Sequence, residues 1–288
     1  MMEVITTRNE LITHLDRNNR NGRSIGFVPT MGFLHEGHLS LVSKAKEDND
    51  IVVMSIFVNP AQFGPGEDYE AYPRDLERDM ALAKEAGVDF LFTPSAMEMY
   101  PTDGGIRILP GRQAEVLCGA SRPGHFDGVL KVLLKLFNMV DPDRSYFGMK
   151  DAQQLAIIET FVRDFNLRTE IVRVPTVRES DGLAKSSRNV NLSAIERSEA
   201  PGIYKALQHG QRMVGIAAPH EIEKAMVEFI TQETSGKVDY ANVLSYPNLS
   251  EAIDEDSEII LACAVKFSKT RLIDNIIMST KDDTSCSE

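Results

Sequence analysis

The stretch SIGFVPTMGFLHEGHLSLV, Ser24 to Val42, joins a short apolar run to an amphipathic one. Ser24 to Thr30 reads as a buried strand stopped by Pro29, whereas Leu39, Leu41, Val42 and Ala45 recur at helical spacing. A strand-to-helix turn therefore falls at Met31 to His38. Helix N-termini expose amide groups and the positive end of the dipole, so such a turn suits an anion. Gly32 and Gly37 allow close approach of a phosphate, because no Cβ stands in the way. His35 and His38 point to one side of the first turn, where imidazole N–H groups can donate to phosphate oxygens. A metal site competes with this reading, but only Glu36 lies at ligand spacing and its side chain points away from the pair. A plain loop with two histidines is the third reading.

The rest of the chain narrows the choice. At 288 residues there is room for one large domain or two moderate ones. A net charge of −12 opposes a general nucleic-acid surface and leaves room for a local basic pocket holding a nucleotide. Cys118, Cys263 and Cys286 lie far apart with no C-x-x-C, as expected of reduced thiols in the cytoplasm. The start MMEVITTRNE lacks the apolar core of a signal peptide. The run GVLKVLLKLFNMV is broken by Lys131 and Lys135 and is too short to span a bilayer, so it reads as a buried amphipathic helix.

Strand and helix patterns alternate through the first part. IVVMSIFV reads as a strand, PRDLERDMALAKEAG as a helix opened by Pro73 and closed by Gly87, and VDFLF as a strand. A helix over Asp127 to Val140, the strand RSYFG, a helix over Ala152 to Phe165 and the strand TEIVRV follow. This alternation predicts an α/β fold: a Rossmann-like parallel sheet with helices on both faces and ligands at the carboxyl ends of its strands. NLSAIERSEA, PHEIEKAMVEFITQE, KVDYANVLSY, EIILACAVKF and TRLIDNII then read as a smaller α+β unit, giving a nucleotide-binding domain over 1–176 and a C-terminal domain over 177–288 that closes the active site. The tail STKDDTSCSE reads as mobile.

Polar loops sit at the predicted strand ends. NPAQFGPGEDYEAYPR offers Asn59 and Gln62, neutral amides suited to a hydroxyl or carboxylate, although amides in loops also bond their own backbone. YFGMKDAQQ places Lys150, Asp151, Gln153 and Gln154 at a helix start, where a lysine opposes the dipole unless an anion binds. KSSRN, Lys185 to Asn189, combines two hydroxyls with two cations, a composition suited to outer phosphates and a leaving pyrophosphate, or to an exposed loop. SRPGHFDGV adds Arg122 and His125.

The order of these motifs resembles the class I nucleotidyltransferases. Within them, PTMGFLHEGHLSLV, SIFVNPAQFGPGEDYEAYPR, RPGHFDGV, GMKDAQQ, ESDGLAKSSRN and KTRLIDN are similar to the pantoate–β-alanine ligase family, from Ile25 to Asn275. The resemblance implies ATP-dependent joining of pantoate to β-alanine with Mg²⁺, release of AMP and pyrophosphate, and a cytoplasmic homodimer without nucleic-acid or membrane partners. It assigns ATP to Met31, Gly32, Phe33, Leu34, His35, Glu36, Gly37, His38, Gly148, Met149, Lys150, Asp151, Val177, Lys185, Ser186, Ser187 and Arg188. His38, with His35 and Lys150, becomes the catalytic set, and His38 the acid. Gln62, Gln154, Asn59, Arg122 and His125 fall to pantoate and β-alanine, and Asp79 is the carboxylate candidate for Mg²⁺. The segment around FGPGEDYE reads as a lid. Two departures stand out: Lys185 where relatives commonly carry methionine, and Phe267-Ser268 where a Val-Gly pair is common. A sister nucleotidyltransferase and a non-catalytic nucleotide-binding module are the rival readings.

Overall fold

The computed structural model describes residues 2–19, 22–102, 105–254 and 257–280. Cys286 and 281–288 of the expected mobile tail lie outside the described residues. In chain order the elements are β1 (Glu3–Ile5), α1 (Arg8–Asn19), β2 (Ile25–Thr30), α2 (Glu36–Asp48), β3 (Ile51–Ile56), α3 (Leu76–Glu85), β4 (Phe90–Phe92), α4 (Ala96–Met99) and α5 (Leu117–Ser121). Then follow α6 (His125–Val140), β5 (Arg144–Gly148), α7 (Ala152–Asp164), β6 (Glu170–Val174), α8 (Ala194–Glu199), α9 (Gly202–Gln211), α10 (Pro219–Glu233), β7 (Lys237–Tyr246), β8 (Glu258–Lys266) and β9 (Arg271–Ser279).

The first compact unit comprises Met1–Gly111, Arg122–Met149 and Ile158–Pro175. Its sheet is parallel throughout, in the order β1-β4-β3-β2-β5-β6. Alternation along β2 explains why helices cover both faces. Val28 packs with Leu41, Val42 and Ala45 of α2, while its neighbour Phe27 turns to the other face and meets Phe137 of α6 edge-on at 6.4 Å between ring centroids. Strand order reverses between β2 and β5, so the carboxyl ends of these two strands flank the crevice where such sheets bind ligands. The helix expected to open at Pro73 begins instead at Leu76, because the Asp75 carboxylate accepts from the Arg78 amide and caps it there. The helix expected from Asp127 starts at His125, directly after left-handed Gly124.

The second unit groups Arg112–Ser121 and Lys150–Ile157 with the chain from Thr176 onward. Its sheet is antiparallel, β7-β8-β9. β8 is buried on both faces. Leu261, Cys263 and Val265 face the cluster containing Ile203 and Leu207 of α9 and Met226 of α10; Ile260 and Ala262 face Leu117 of α5 and Ala152 and Ala156 of α7. That double burial accounts for the unbroken apolar run IILACAV, and it draws two segments from before residue 177 into this unit. Short β1, and helices α1 and α9, have no counterpart among the elements expected from the sequence.

The Phe267-Ser268 departure is accommodated here. Phe267 is buried in the α9–α10 cluster, and the Ser268 amide donates to Glu196 Oε1 at 2.8 Å while Ser193 N donates to Oε2 at 2.8 Å. The Ser193 amide, with Ser268 next, pulls the Glu196 carboxyl down to about 2. A depressed carboxylate contributes stability that is present above its ordinary value of 4.5 and is lost as pH falls toward about 2. Urea midpoints measured near neutrality and at about pH 3 are therefore expected to drop further in this protein than in its Glu196→Gln variant.

Candidate active site

The site grows from the end of β2. Gly32 and Phe33 both adopt left-handed backbone, at φ +84° and +51°, which reverses the chain between strand and helix. A Cβ on Gly32 would lie 2.9 Å from Asp79 Oδ2, so only glycine fits. Asp79, on α3 and 1% exposed, accepts from Phe33 N and Leu34 N, each at 2.7 Å. Arg78 donates to the Leu34 carbonyl at 3.0 Å. Helix α3 thus holds the turn through two adjacent side chains.

The two histidines then cap α2. His35 Nδ1 accepts from Gly37 N at 3.1 Å and His38 Nδ1 accepts from His35 N at 3.3 Å, a capping box built from imidazoles. Their ring centroids lie 4.1 Å apart. An acceptor Nδ1 in a neutral imidazole assigns the proton to Nε2, so each ring presents an N–H donor from the edge opposite the cap. Backbone amides were expected to meet the anion, yet those of Gly32, Phe33, Leu34, His35 and Gly37 all have partners within the unit. Glu36 is exposed, as its spacing required.

Asn59 and Gln62 stand beside this turn, 1% and 8% exposed. Asn59 Nδ2 donates to Gln62 Oε1 and to the Gly128 carbonyl, each at 3.1 Å, and Asn59 Oδ1 accepts from Tyr100 OH at 2.9 Å. Gln62 Nε2 donates to the sulfur of Met31 at 3.1 Å, which ties the amide pair to the histidine turn. Burial pushes the Tyr100 hydroxyl well above its ordinary range, so it acts as a donor. A second chain of bonds supports the same 3-10 turn, Pro60–Gln62. Glu67 holds Arg122 in a bidentate pair at 2.8 and 2.6 Å, Arg122 Nη1 lies 3.0 Å from His125 Nε2, and His125 Nδ1 lies 2.8 Å from the Gln62 carbonyl. The carbonyl can only accept, so Nδ1 carries the His125 proton and Nε2 accepts from Arg122. Arg122 also pulls the Glu67 carboxyl below its ordinary range. Arg122 and His125, expected at pantoate and β-alanine, both belong to the chain of bonds that ends on the Gln62 carbonyl. Tyr100 and Glu67 were not among the sequence candidates; Glu67 lies inside the quoted loop, whereas no local pattern marks Tyr100.

A cavity of about 250 Å³ opens in this unit, lined by Met31, Gly32, Phe33, Tyr69, Arg74, Asp75, Asp79 and neighbouring residues. Asp79, the carboxylate expected near Mg²⁺, has each of its oxygens engaged by one amide of the Phe33–Leu34 turn. Gly148 closes β5 and Met149 opens the 3-10 turn that follows it.

The remaining candidates lie in the second unit. Lys150 and Asp151 occupy that turn with Nζ and Oδ2 3.8 Å apart. The two glutamines diverge: Gln153 is buried and donates to the Gln113 and Val116 carbonyls at 2.8 and 2.7 Å, while Gln154 is half-buried. After Val177 the chain forms a hairpin in which Lys185 N donates to the Val177 carbonyl at 2.9 Å. The Lys185 ammonium pairs with Glu179 at 2.8 Å, so the extra charge relative to methionine is partly neutralised inside the hairpin. Ser186 caps the turn Ser187–Asn191 by accepting from Arg188 N at 3.3 Å. No helix among the described residues is long and apolar enough to cross a membrane.

Two substitutions check this construction. A Cβ at Gly128 would lie 2.1 Å from the Ala61 carbonyl, so Gly128→Ala is expected to displace the Asn59–Gln62 turn and lower stability by about 1–3 kcal/mol in urea unfolding. Asp79→Ala leaves two amides without their acceptor and is expected to cost about 1–3 kcal/mol for each in the same measurement.

Comparison with known proteins converges on one group. A family model described as pantoate-beta-alanine ligase matches residues 3–277. The pantothenate synthetase of Bacillus subtilis (strain 168) is 56% identical over 283 residues, covering 98% of this chain and 99% of that protein. That of Bacillus velezensis is 56% identical over 279 residues, covering 96% and 97%. The crystal structure of pantothenate synthetase from Thermus thermophilus superposes with a TM-score of 0.88 at 46% identity, covering 96% of this chain and 99% of that one. The pantoate-beta-alanine ligase of Francisella tularensis, solved with Beta-gamma ATP and Beta-alanine, gives 0.81 at 35% identity, with 99% and 100% coverage.

Proposed function

The chain belongs to the pantoate–β-alanine ligase family, and we propose that it makes pantothenate in two steps through a pantoyl-adenylate, supplying coenzyme A biosynthesis. In the first step a carboxylate oxygen of pantoate forms a bond to the α-phosphorus of ATP as the bond from that phosphorus to the bridging oxygen breaks, and pyrophosphate departs. In the second, the uncharged amine of β-alanine attacks the acyl carbon, a proton leaves the nitrogen and AMP is expelled.

The observation that carries this reading is the pair of Nδ1-anchored imidazoles beside two buried amides. His35 and His38 each present an Nε2–H fixed in direction by the α2 cap, suited to the charge that grows on the α-phosphoryl oxygens. His38, the acid of the reading, is held at Nδ1 so that any proton it gives leaves from Nε2. Asn59 and Gln62 are neutral and buried, which suits a hydroxy acid better than a fixed cation would, since a buried amide binds hydroxyl and carboxylate without trapping the product by charge. In the second unit Lys150, Ser186, Ser187 and Arg188 take the phosphates and the leaving pyrophosphate, and Gln154 takes pantoate. Magnesium enters as part of the MgATP substrate, held by phosphate oxygens. The protein works as a cytoplasmic homodimer, with the loop around Glu67 shielding the adenylate from water.

AMP release from ATP and Mg²⁺ is expected to require pantoate and β-alanine together; ATP binding with no AMP under any pairing would replace this reading by a non-catalytic nucleotide module. His38→Ala is expected to lower kcat by about 10²–10³-fold, and unchanged turnover would remove His38 from the chemistry.

A further inference from the structure

The KTRLIDN motif has no part in the chemistry described so far, yet three of its residues, Thr270, Asp274 and Asn275, are polar and buried, the last two within strand β9. Asp274 and Asn275 are 4% and 7% exposed on β9, opposite Cys263 and Ala262 of β8. Successive strand residues point to opposite faces. Each of the pair reaches a different segment.

On one face Asp274 accepts from Arg178 in a bidentate pair at 2.6 and 3.0 Å. Arg178 also donates to the Gly182 carbonyl at 3.1 Å and lies 3.5 Å over the ring of Tyr204 on α9. It stands at the base of the hairpin that bridges Arg178 to Ala184 and delivers Lys185 to Arg188. Asn275 Nδ2 donates to the backbone carbonyl of Lys150 at 2.8 Å, and Asn275 N donates to Asp274 Oδ1 at 2.8 Å, locking the two residues together. A buried ion pair contributes little net stability, and apolar residues would fill the strand at lower desolvation cost. What the pair does supply is register: the lysine turn and the Lys-Ser-Ser-Arg hairpin are referred to adjacent residues of one strand.

We infer that Asp274 and Asn275 are positioning residues for adenylate formation, which hold the Lys150 turn and the Arg178–Arg188 hairpin in fixed register so that their cationic groups meet the phosphates of ATP together. This rests on the phosphate role given above to Lys150 and Ser186–Arg188. Neither residue touches substrate; each acts through the segment it holds.

The test separates the two half-reactions. Asn275→Asp keeps the shape and removes the N–H donor to Lys150. Pyrophosphate release from ATP and pantoate in a single turnover is expected to slow by about 10- to 100-fold, the scale of a misplaced catalytic group. Pantothenate formation from synthetic pantoyl-adenylate and β-alanine, a step in which no pyrophosphate departs, is expected to stay unchanged. Asp274→Asn, or Asn275→Ser where the first variant fails to fold, is read the same way. Parallel loss of both half-reactions with a lowered Tm assigns the pair to stability alone, and loss of neither removes it from function; either overturns the inference. Lys150→Ala distinguishes its foundation. If that variant releases pyrophosphate normally, the phosphate role of Lys150 falls. If it is crippled while Asn275→Asp is not, only the positioning role falls. A double variant no slower than Lys150→Ala alone supports the coupling.

Discussion

The Asp79 carboxylate and the two amides it accepts, Phe33 N and Leu34 N, decide how β2 becomes α2. Two consecutive left-handed residues, one of them a phenylalanine, are unfavourable without an outside partner. A charged acceptor with two oxygens 2.7 Å from the two amides offsets that cost, because bonds to an ionised group are about twice as strong as neutral ones. Once the turn is fixed, His35 lands at the N-cap and His38 at the third helical position, and their Nδ1 atoms close the cap. The same carboxylate that looked like a cation ligand in the sequence is therefore the reason the imidazoles face as they do.

The buried amide pair follows a related logic. Asn59 and Gln62 are polar groups in an apolar setting, tolerable because each finds partners: Gly128 O, Tyr100 OH, Met31 sulfur and one another. The close approach of α6 that brings Gly128 O within reach allows no side chain at 128. Behind them, the Glu67–Arg122–His125 chain ends on the Gln62 carbonyl, so charge at the loop surface fixes backbone at the site. Orientation of a neutral ligand group thus depends on a charged network one layer away.

In the second unit the organising fact is the burial of β8 on both faces. It requires a layer on each side of a three-stranded sheet, and the second layer comes from α5 and the start of α7, segments that precede residue 150 or follow it closely in sequence. Lys150 thereby belongs to the unit that also carries the Lys185–Arg188 hairpin, and β9 offers the adjacent polar residues that hold both.

Much of this was legible beforehand. Strand β2, helix α2, the parallel alternation and strands β7 to β9 follow from period and from glycine and proline punctuation, which are local properties, and the family resemblance rested on short motifs that are themselves local. The sequence also marked the H-x-G-H turn, Asn59, Gln62 and Lys150 as chemistry-bearing. Only the family resemblance separated Gln154 from Gln153; their local pattern does not, since adjacent glutamines differ in which carbonyls the fold places near them. Nor could the sequence tell Asp79 as a turn acceptor from Asp79 as a metal ligand, or find Tyr100 and Asn275. Their partners lie 41 and 125 residues away in the chain, and a hydrogen bond over that distance exists only once the packing of sheets and helices has brought donor and acceptor within about 3 Å.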